Sequence, residues 1–237
     1  MTIAYNGANF FGSQIQQETE ETINGQVEKA LSLLQVPVKV QASGRTDRGV
    51  HASKQVIHFD LPSFWSDLNK LQDSLGRILP KSIVIRRLEF IDDSFHARYS
   101  AKKRVYRYIL STQTPSPFSA DLITYVDTLD IEKMAEAIKL FEGVHNFEYF
   151  KKSGSDTSNF ERKIYKTRLY QHKGYIILYF EANGFLRAQI RLMVGFLLKI
   201  SEDTYTKEQL QQQLNRERNF KLKPAPHQGL YLSNIKY

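Results

Sequence analysis

The sequence predicts an α+β protein with antiparallel or mixed sheets, divided into two similar halves that meet near residue 100. Strand-like and helix-like segments are mixed along the chain, and several strands flank short turns, as in hairpins. The second half follows an order of strands and helices related to that of the first. The 237 residues are enough for two domains of about 120 residues, each with its own core. We therefore expect one domain at residues 1–101 and a second at residues 102–237.

The composition is that of an ordinary globular protein with a basic character. The chain has 33 lysines and arginines against 25 acidic residues, a formal net charge of +8, which makes polyanionic partners plausible. The absence of cysteine excludes disulfides, thiolate zinc sites and cysteine nucleophiles. No apolar run approaches the roughly 20 residues that span a bilayer, and the N-terminus lacks the features of a signal peptide. We therefore expect a cytoplasmic protein without membrane contact.

The first half is expected to contain two helices and several short strands. Thr22 is a plausible N-cap for a helix whose apolar side chains, from Ile23 to Leu34, fall on one face. Residues 64–79 are the second expected helix, because leucines recur there roughly in phase. Apolar and β-branched runs next to turn residues predict the strands. These strands are at residues 3–5, from residue 38 onward, and at residues 56–59, 83–85 and 88–91.

The second half is expected to contain strands, a hairpin and three helices. Residues 105–110 alternate at strand period, and Asp130 is a plausible N-cap for a helix that ends before Gly143. An apolar stripe predicts another helix at residues 185–200. The remaining elements are hairpin strands at 165–171 and 175–181 around a turn at 172–174, a short helix with a capping box of Thr206 and Gln209, and a last strand from residue 229.

The segment at residues 42–52, ASGRTDRGVHA, lies between two strand-like runs and is expected to be a loop. Its two glycines allow tight turns and the close approach of a large ligand to Asp47. A loop aspartate commonly closes a turn or caps a helix, but Arg45 and Arg48 flank this carboxylate. An ionised carboxylate beside arginines suits a nucleophile or a base that acts on an anionic substrate.

A second basic segment lies between residues 98 and 108. It contains three tyrosines and five basic residues, Arg98, Lys102, Lys103, Arg104 and Arg107. Basic groups reach phosphates and aromatic faces stack on bases, so the segment favours RNA binding, and the alternative is a solvated strand and loop. The spacing of His51 and His58 matches no metal-ligand pattern, so we expect both to pack or to form hydrogen bonds. No phosphate-binding glycine loop is present.

Five motifs together resemble the TruA family of tRNA pseudouridine synthases over nearly the whole chain. The most specific is GRTDRGVHA at residues 44–52, which matches the signature loop of that family at eight of nine positions. The others are YNGANFFGSQ at 5–14, FHARYSAKKRVYRY at 95–108, NGFLRAQIRLMVG at 183–195 and GLYL at 229–232. The resemblance implies that each half is an α/β sandwich-like unit, and that the two sheets meet around a central basic cleft.

The resemblance also implies the roles of individual residues. Asp47 corresponds to the catalytic aspartate, Tyr106 to an active-site tyrosine, and Arg191 to an arginine that pairs with the aspartate. Without the motifs, Tyr106 would be an ordinary half-buried strand tyrosine and Arg191 a surface arginine. Arg45 would fill the gap left by a flipped base or simply contact a phosphate. Arg187, one turn before Arg191 on the expected helix, would bind substrate or be solvated.

The implied reaction is the isomerisation of uridine to pseudouridine. The bond between ribose C1′ and N1 breaks, the base rotates, and C5 is joined to C1′ instead. Nothing is gained or oxidised, so we expect neither a cofactor nor a metal. The base must first be flipped out of its stack. Asp47 would attack C1′ or remove a sugar proton, and Tyr106 would stack on the flipped base and help to remove the C5 proton.

The resemblance further implies tRNA as the partner, a homodimer with tRNA lying across both subunits, and uridines 38, 39 and 40 of the anticodon stem-loop as targets. Two other classes stay open. One is a catalytically inactive or retargeted RNA-binding paralogue, which would not need Asp47, Tyr106 and Arg191. The other is a hydrolase with Asp47 as nucleophile, for which no general acid can be identified.

The chain departs from the family pattern at several positions. Ser13 stands in place of the usual tryptophan, Arg48 in place of the usual alanine directly after the catalytic aspartate, and Ala188 in place of the usual histidine. None of these changes removes a catalytic group. Several lie along the expected approach of the RNA, so they bear on the choice of substrate.

Overall fold

The computed structural model of this chain describes residues 1–152, 154 and 158–237. These residues form two compact units, Met1–Lys102 with Tyr231–Tyr237 and Lys103–Leu230. The units differ from the expected halves, 1–101 and 102–237, chiefly in the last seven residues, which belong to the first unit. Both units combine helices with a mixed sheet, and this confirms the predicted α+β class.

The elements have the following bounds in chain order. They are β1 (Thr2–Tyr5), α1 (Ile23–Leu33), β2 (Gln41–Ala42), β3 (His51–His58), α2 (Leu68–Ile78), β4 (Ile83–Arg87), β5 (Lys103–Ser111), β6 (Thr124–Tyr125), α3 (Ile131–Ala137), β7 (Gly143–Asn146), β8 (Glu161–His172), β9 (Tyr175–Ala182), α4 (Gln189–Ser201), α5 (Lys207–Leu214) and β10 (Leu230–Lys236). Single 3₁₀ turns follow α3 and β7. Among the described residues, no helix is both long enough and apolar enough to cross a membrane.

The sheet of the first unit has the strand order β4-β1-β3-β10, with β2 added to β3. β1 runs antiparallel to both β3 and β4, whereas β10 runs parallel to β3 with Tyr231 opposite His51. In the second unit the order is β5-β9-β8-β7, and β6 pairs with β5. These four strands are antiparallel, and β6 is parallel to β5. The parallel pairing with β3 explains why the end of the chain belongs to the first unit.

The two units have cores of different composition. The first is mainly aliphatic, with fully buried side chains from β1, β3, α1 and α2, namely Ile3, Ile57, Val27, Leu31, Leu71 and Leu75. The second is rich in fully buried phenylalanines, namely Phe141, Phe147, Phe150, Phe180 and Phe196. Several of these rings meet edge to face, as in the Phe141–Phe150 pair with centroids 5.6 Å apart.

The predicted helix caps are confirmed. The Thr22 hydroxyl accepts the Gly25 N–H at 3.2 Å, and the Asp130 carboxylate accepts the Lys133 N–H at 3.0 Å. Thr206 and Gln209 form the complete capping box. Each cap satisfies a backbone donor that the first turn of a helix leaves without an intrahelical partner. Local sequence therefore determines where these three helices begin.

Other predicted boundaries were wrong. α2 begins at Leu68 rather than at residue 64, because Asp67 caps it. The strand expected from residue 38 is only Gln41–Ala42, since the Glu28 carboxylate accepts the Val40 N–H at 3.0 Å in place of a neighbouring strand. No strand forms at residues 88–91, where Phe90 and Ile91 are exposed. Because β2 ends at Ala42 and β3 begins at His51, the loop expected at residues 42–52 spans only residues 43–50.

Candidate functional site

Thr46, which directly precedes Asp47, is held by three hydrogen bonds. Its N–H donates to Ser13 Oγ at 2.8 Å, and its carbonyl accepts the Ser13 N–H at 3.1 Å. Its hydroxyl lies 2.8 Å from the hydroxyl of Tyr5, which belongs to β1. Tyr5, Ser13 and Thr46 are all buried, so water does not compete for these bonds. Through Thr46, the backbone next to Asp47 is therefore hydrogen-bonded to Tyr5 of β1 on one side and to Ser13 on the other.

A buried glutamine fixes the beginning of the same loop. The Gln55 side chain, on β3, accepts a hydrogen bond from the Ser43 hydroxyl at 2.8 Å and donates one to the Gly44 carbonyl at 2.6 Å. The Ser43 N–H also donates to the Val56 carbonyl at 2.8 Å. These are neutral bonds in a buried setting, which hold the loop without placing a further charge near Asp47.

Asp47 opens a tight turn. The Val50 N–H donates to the Asp47 carbonyl at 3.1 Å, and Gly49, the third residue of the turn, has a φ of 76°. Turns of this kind need a positive φ at their third residue, which glycine adopts without strain. The Gly49 N–H donates to the Phe10 carbonyl at 3.3 Å. Arg48, the second residue, is thereby placed at the exposed tip.

Gly7 explains why the motif at residues 5–14 occurs in the same chain as the loop at residues 43–50, which we call the aspartate loop. A Cβ atom on Gly7 would lie 2.0 Å from the Val50 carbonyl oxygen, so only glycine fits there. The Gly7 N–H donates to Nδ1 of His51 at 3.0 Å, and the His51 ring stacks on Tyr231 at 4.7 Å. His51 thus both packs and hydrogen-bonds, as expected. The motifs at residues 5–14, 44–52 and 229–232 come together around one loop.

Asp47 is half-buried, whereas Arg45 and Arg48 are exposed. The ion pairs recorded among the described residues of the first unit join Lys39 to Glu28 and Arg87 to Glu89, and neither involves this loop. The loop thus carries a half-buried aspartate next to two arginines, and among the described residues of the first unit no acid forms an ion pair with either arginine. Such a site can hold an anionic substrate against a nucleophile or a base.

Tyr106 lies on β5 of the second unit and is 9% exposed. Its ring meets Phe185 edge to face, with centroids 5.3 Å apart and an interplanar angle of 84°. It faces Phe180 of β9 across the sheet. The Tyr106 ring is therefore packed between β5 and Phe185 in the core of the second unit.

Arg191 lies in the first turn of α4 and is half-buried. Its Nε donates to the Ala225 carbonyl at 2.6 Å, and the Ala225 N–H donates to the Arg191 carbonyl at 2.8 Å. The hydroxyl of Tyr108 donates to the Pro226 carbonyl at 2.7 Å. Burial raises the pKa of Tyr108, and the positive charge of Arg191 opposes that rise. Ala225 therefore orients the guanidinium of Arg191, a role that no sequence pattern indicated.

Arg187 does not lie on the helix that carries Arg191, so the prediction of a shared helical face was wrong. α4 begins only at Gln189, because Ala188 has a φ of 59° and interrupts the helical backbone. The Lys152 N–H donates to the Arg187 carbonyl at 3.0 Å. The Nη1 atom of Arg187 donates to the Gly154 carbonyl at 3.4 Å. Arg187 is instead an exposed residue of the turn before the helix.

Two of the five predicted basic residues at 98–107 have partners within the second unit. Lys103 pairs with the buried carboxylate of Glu181 at 2.9 Å. Glu181 also accepts a hydrogen bond from the Tyr179 hydroxyl at 2.7 Å, and burial, together with this bond, raises the pKa of Tyr179 to about 12. Arg104 donates to the Asn183 carbonyl at 2.8 Å. Both residues therefore support the sheet.

The other three basic residues of this segment are exposed. Arg107 lies opposite Tyr179 on the sheet of the second unit. Lys102 and Arg98 belong to the first unit, and the Arg98 guanidinium lies 5.6 Å from the centre of the Tyr99 ring. Within residues 1–152, 154 and 158–237, no group of three or more histidines, aspartates and glutamates is arranged to hold a metal ion.

Comparisons with known proteins agree on one family and together cover nearly the whole chain. A sequence model of a family described as tRNA pseudouridine synthase matches residues 1–100 and 137–237. The tRNA pseudouridine synthase A of Wolinella succinogenes is 40% identical over 235 residues, which cover 99% of this chain and 92% of that protein. Proteins with the same name from Lactococcus lactis and Helicobacter hepaticus are 39% and 37% identical, and the alignments cover 100% and 99% of this chain and 95% and 97% of theirs.

A more distant similarity is to a solved structure, described as a Cbf5-Nop10-Gar1 complex. Its TM-score is 0.39 at 10% identity, over 83% of this chain and 43% of that one, which is too low to support an argument.

Proposed function

The chain belongs to the tRNA pseudouridine synthase family of isomerases, and we propose that it converts uridines 38, 39 and 40 of the tRNA anticodon stem-loop to pseudouridine. The observation that carries the proposal is the loop at residues 43–50. It presents the half-buried Asp47 carboxylate on a backbone fixed by buried hydrogen bonds, beside two exposed arginines. A reaction at the sugar of a polyanion needs these two features together.

Asp47 is the catalytic group in this proposal. After the target base has been flipped out, the carboxylate attacks ribose C1′ or removes a proton from the sugar, and the bond from C1′ to N1 breaks. The base rotates while it stays bound, and C5 is joined to C1′ as the carboxylate leaves C1′ or returns the sugar proton that it removed. Loss of the C5 proton and protonation of N1 then complete the aromatic base. Because Thr46 is held on three sides, little reorganisation is needed to keep the carboxylate aligned.

Tyr106, Arg191 and Arg45 have supporting roles in the proposal. The Tyr106 ring stacks on the flipped uracil, and its hydroxyl helps to move the C5 proton. Arg191, whose guanidinium is oriented by Ala225, pairs with the Asp47 carboxylate and holds it in position. Arg45 occupies the space that the flipped base leaves or contacts a neighbouring phosphate. The exposed Arg98, Lys102 and Arg107 contribute to phosphate contacts. These assignments rest on the matching motifs and on the local packing of each side chain.

We also propose that the protein acts in the cytoplasm as a homodimer, with tRNA lying across both subunits. The support is the similarity to the family over the full chain. Light scattering after gel filtration, with and without tRNA, tests the assembly. A molecular mass near 55 kDa for the free protein, twice the 27.5 kDa of one chain, is the expected result, and a monomer would contradict it.

The decisive experiment measures tritium release from unmodified tRNA labelled at C5 of uridine. Wild-type protein is expected to release tritium, and Asp47→Ala is expected to release none while its tRNA affinity changes by no more than a few-fold. Asp93→Ala is the matched control, since Asp93 is an exposed aspartate of the same unit. Site mapping then identifies the modified uridines.

The three results separate the parts of the proposal. No release by wild type would contradict the enzymatic function, and retained release by Asp47→Ala would contradict the site. Release from uridines other than 38, 39 and 40 would contradict only the target positions.

A further inference from the structure

Arg48 has a defined position although it is exposed. It is the second residue of the turn from Asp47 to Val50, and the hydrogen bonds from Val50 to Asp47 and from Gly49 to Phe10 close the backbone on both sides of it. The side chain therefore starts from a fixed Cα atom directly beside the catalytic residue. A basic side chain on a fixed backbone loses less conformational entropy when it binds a ligand.

Phe11 supplies a surface for this side chain. Its backbone N–H donates to the Glu21 carbonyl at 2.9 Å, and its carbonyl accepts a hydrogen bond from Gln16 Nε2 at 2.5 Å. The Arg48 guanidinium carbon lies 4.3 Å from the centre of the Phe11 ring, and Phe11 is still 39% exposed. A stacked guanidinium keeps its N–H donors at its edges, where they can bind a further partner.

No acid of the first unit neutralises Arg48 among the residues that the structure describes, as the ion pairs of that unit lie elsewhere. Lys103, by contrast, is neutralised by the carboxylate of Glu181. A planar guanidinium with free edges matches the geometry of phosphate oxygens and binds them through two parallel hydrogen bonds.

We propose that Arg48, stacked on Phe11, is a binding site for one phosphodiester group of the substrate RNA, next to the nucleotide that reacts at Asp47. The inference rests on the proposed function for the identity of the RNA. The site adds one fixed phosphate contact close to the reacting nucleotide and thereby strengthens the binding of the RNA.

The test is the salt dependence of tRNA binding by the full chain, measured at several KCl concentrations. For Arg48→Ala, the slope of log K against log [KCl] is expected to become shallower by about 1, because one phosphate contact is lost. Affinity near physiological salt is expected to fall roughly threefold to tenfold. Arg77→Ala is the matched control, since Arg77 is an exposed arginine of the same unit on α2. Its slope is expected to equal that of wild type.

Two further variants separate charge from stacking. Arg48→Lys keeps the positive charge without the planar group, so its slope is expected to stay near that of wild type while its affinity falls. Phe11→Leu removes the ring and is expected to weaken binding with an unchanged slope. In tritium release, Arg48→Ala is expected to raise KM and leave kcat unchanged. Thermal unfolding of all variants should match wild type to within a few degrees.

The failure of this inference can be told apart from the failure of the proposed function. If wild type releases tritium and Arg48→Ala binds tRNA with the slope and affinity of wild type, or changes no more than Arg77→Ala, the phosphate site is refuted and the enzyme stands. If wild type releases no tritium, the proposed function is refuted. The binding slopes still decide whether Arg48 contacts RNA phosphate.

Discussion

The aspartate loop of the first unit and the sheet of the second unit differ in whether their basic side chains are paired with an acid. In the loop, Arg45 and Arg48 are exposed, and uncharged groups such as Gln55 and Thr46 form the supporting hydrogen bonds. In the sheet, Lys103 pairs with the buried Glu181. The exposed arginines beside Asp47 are therefore available to an anionic ligand in the proposed function, whereas the Lys103–Glu181 pair stabilises the fold.

The largest expected effect comes from Gly7→Ala, which tests how tightly the loop is held. Because the new Cβ would lie 2.0 Å from the Val50 carbonyl oxygen, the loop or β1 must move. We expect a loss of about 2–4 kcal/mol in the free energy of unfolding, from overpacking against backbone. We also expect a fall in kcat of roughly 100-fold, because a displacement of about 1 Å is enough to misalign Asp47.

Gly76→Ala is the matched control for that variant. Gly76 lies in α2, and a Cβ atom there would meet nothing within 4 Å. Alanine is expected to stabilise the helix by about 0.5–1 kcal/mol and to leave tritium release unchanged. Chemical denaturation and turnover should be measured on both variants. If Gly7→Ala behaves like Gly76→Ala, the loop is not held by the contact at Gly7.

Lys103→Met tests the ion pair in the sheet of the second unit, and its expected effect is smaller than that of Gly7→Ala. The substitution leaves the Glu181 carboxylate buried without its cation, although Tyr179 still donates a hydrogen bond to it. We expect a loss of about 1–3 kcal/mol in unfolding free energy, below the range for fully buried pairs because Lys103 is 37% exposed. The salt slope of tRNA binding should match wild type. A slope shallower by about 1 would instead make Lys103 a phosphate contact.

The sequence predicted local features better than contacts between distant segments. The caps at Thr22, Asp130 and Thr206 were predicted because capping depends on a few adjacent residues. The pairing of Lys103 with Glu181 depends on strand register, which the alternation within β5 does not determine. The segment around Ala225, which orients Arg191, has no periodic pattern at all.

Two further features were missed or left ambiguous for local reasons. The start of α4 was misplaced because a positive φ at Ala188 is unusual for alanine, and the apolar stripe continues before it. The role of Asp47 could be inferred only from a resemblance of motifs, since an aspartate between arginines is also typical of an ordinary turn. The structure adds the support of that residue, in the bonds from Ser13 and Tyr5 to Thr46.

The smallest expected effect is a pH dependence of the second unit. The Glu142 carboxylate accepts hydrogen bonds from Lys139 Nζ at 2.9 Å and from the N–H and hydroxyl of Thr167 at 2.7 and 2.9 Å. Burial by itself would raise the pKa of Glu142, but the three hydrogen bonds outweigh it and lower that pKa below its ordinary value of 4.5. The folded state therefore binds the proton more weakly than the unfolded chain does.

The sign of the effect follows from that difference. The stabilisation is complete above the unfolded-state pKa of 4.5 and is lost as the pH falls through the lower pKa of the folded state. Glu142→Gln should therefore be less stable than wild type near pH 7, by about 1 kcal/mol since the side chain is partly exposed, and the difference should shrink in strong acid. Urea denaturation of both proteins from pH 7 to pH 3 measures it. A difference independent of pH would show that the carboxylate charge does not stabilise this unit.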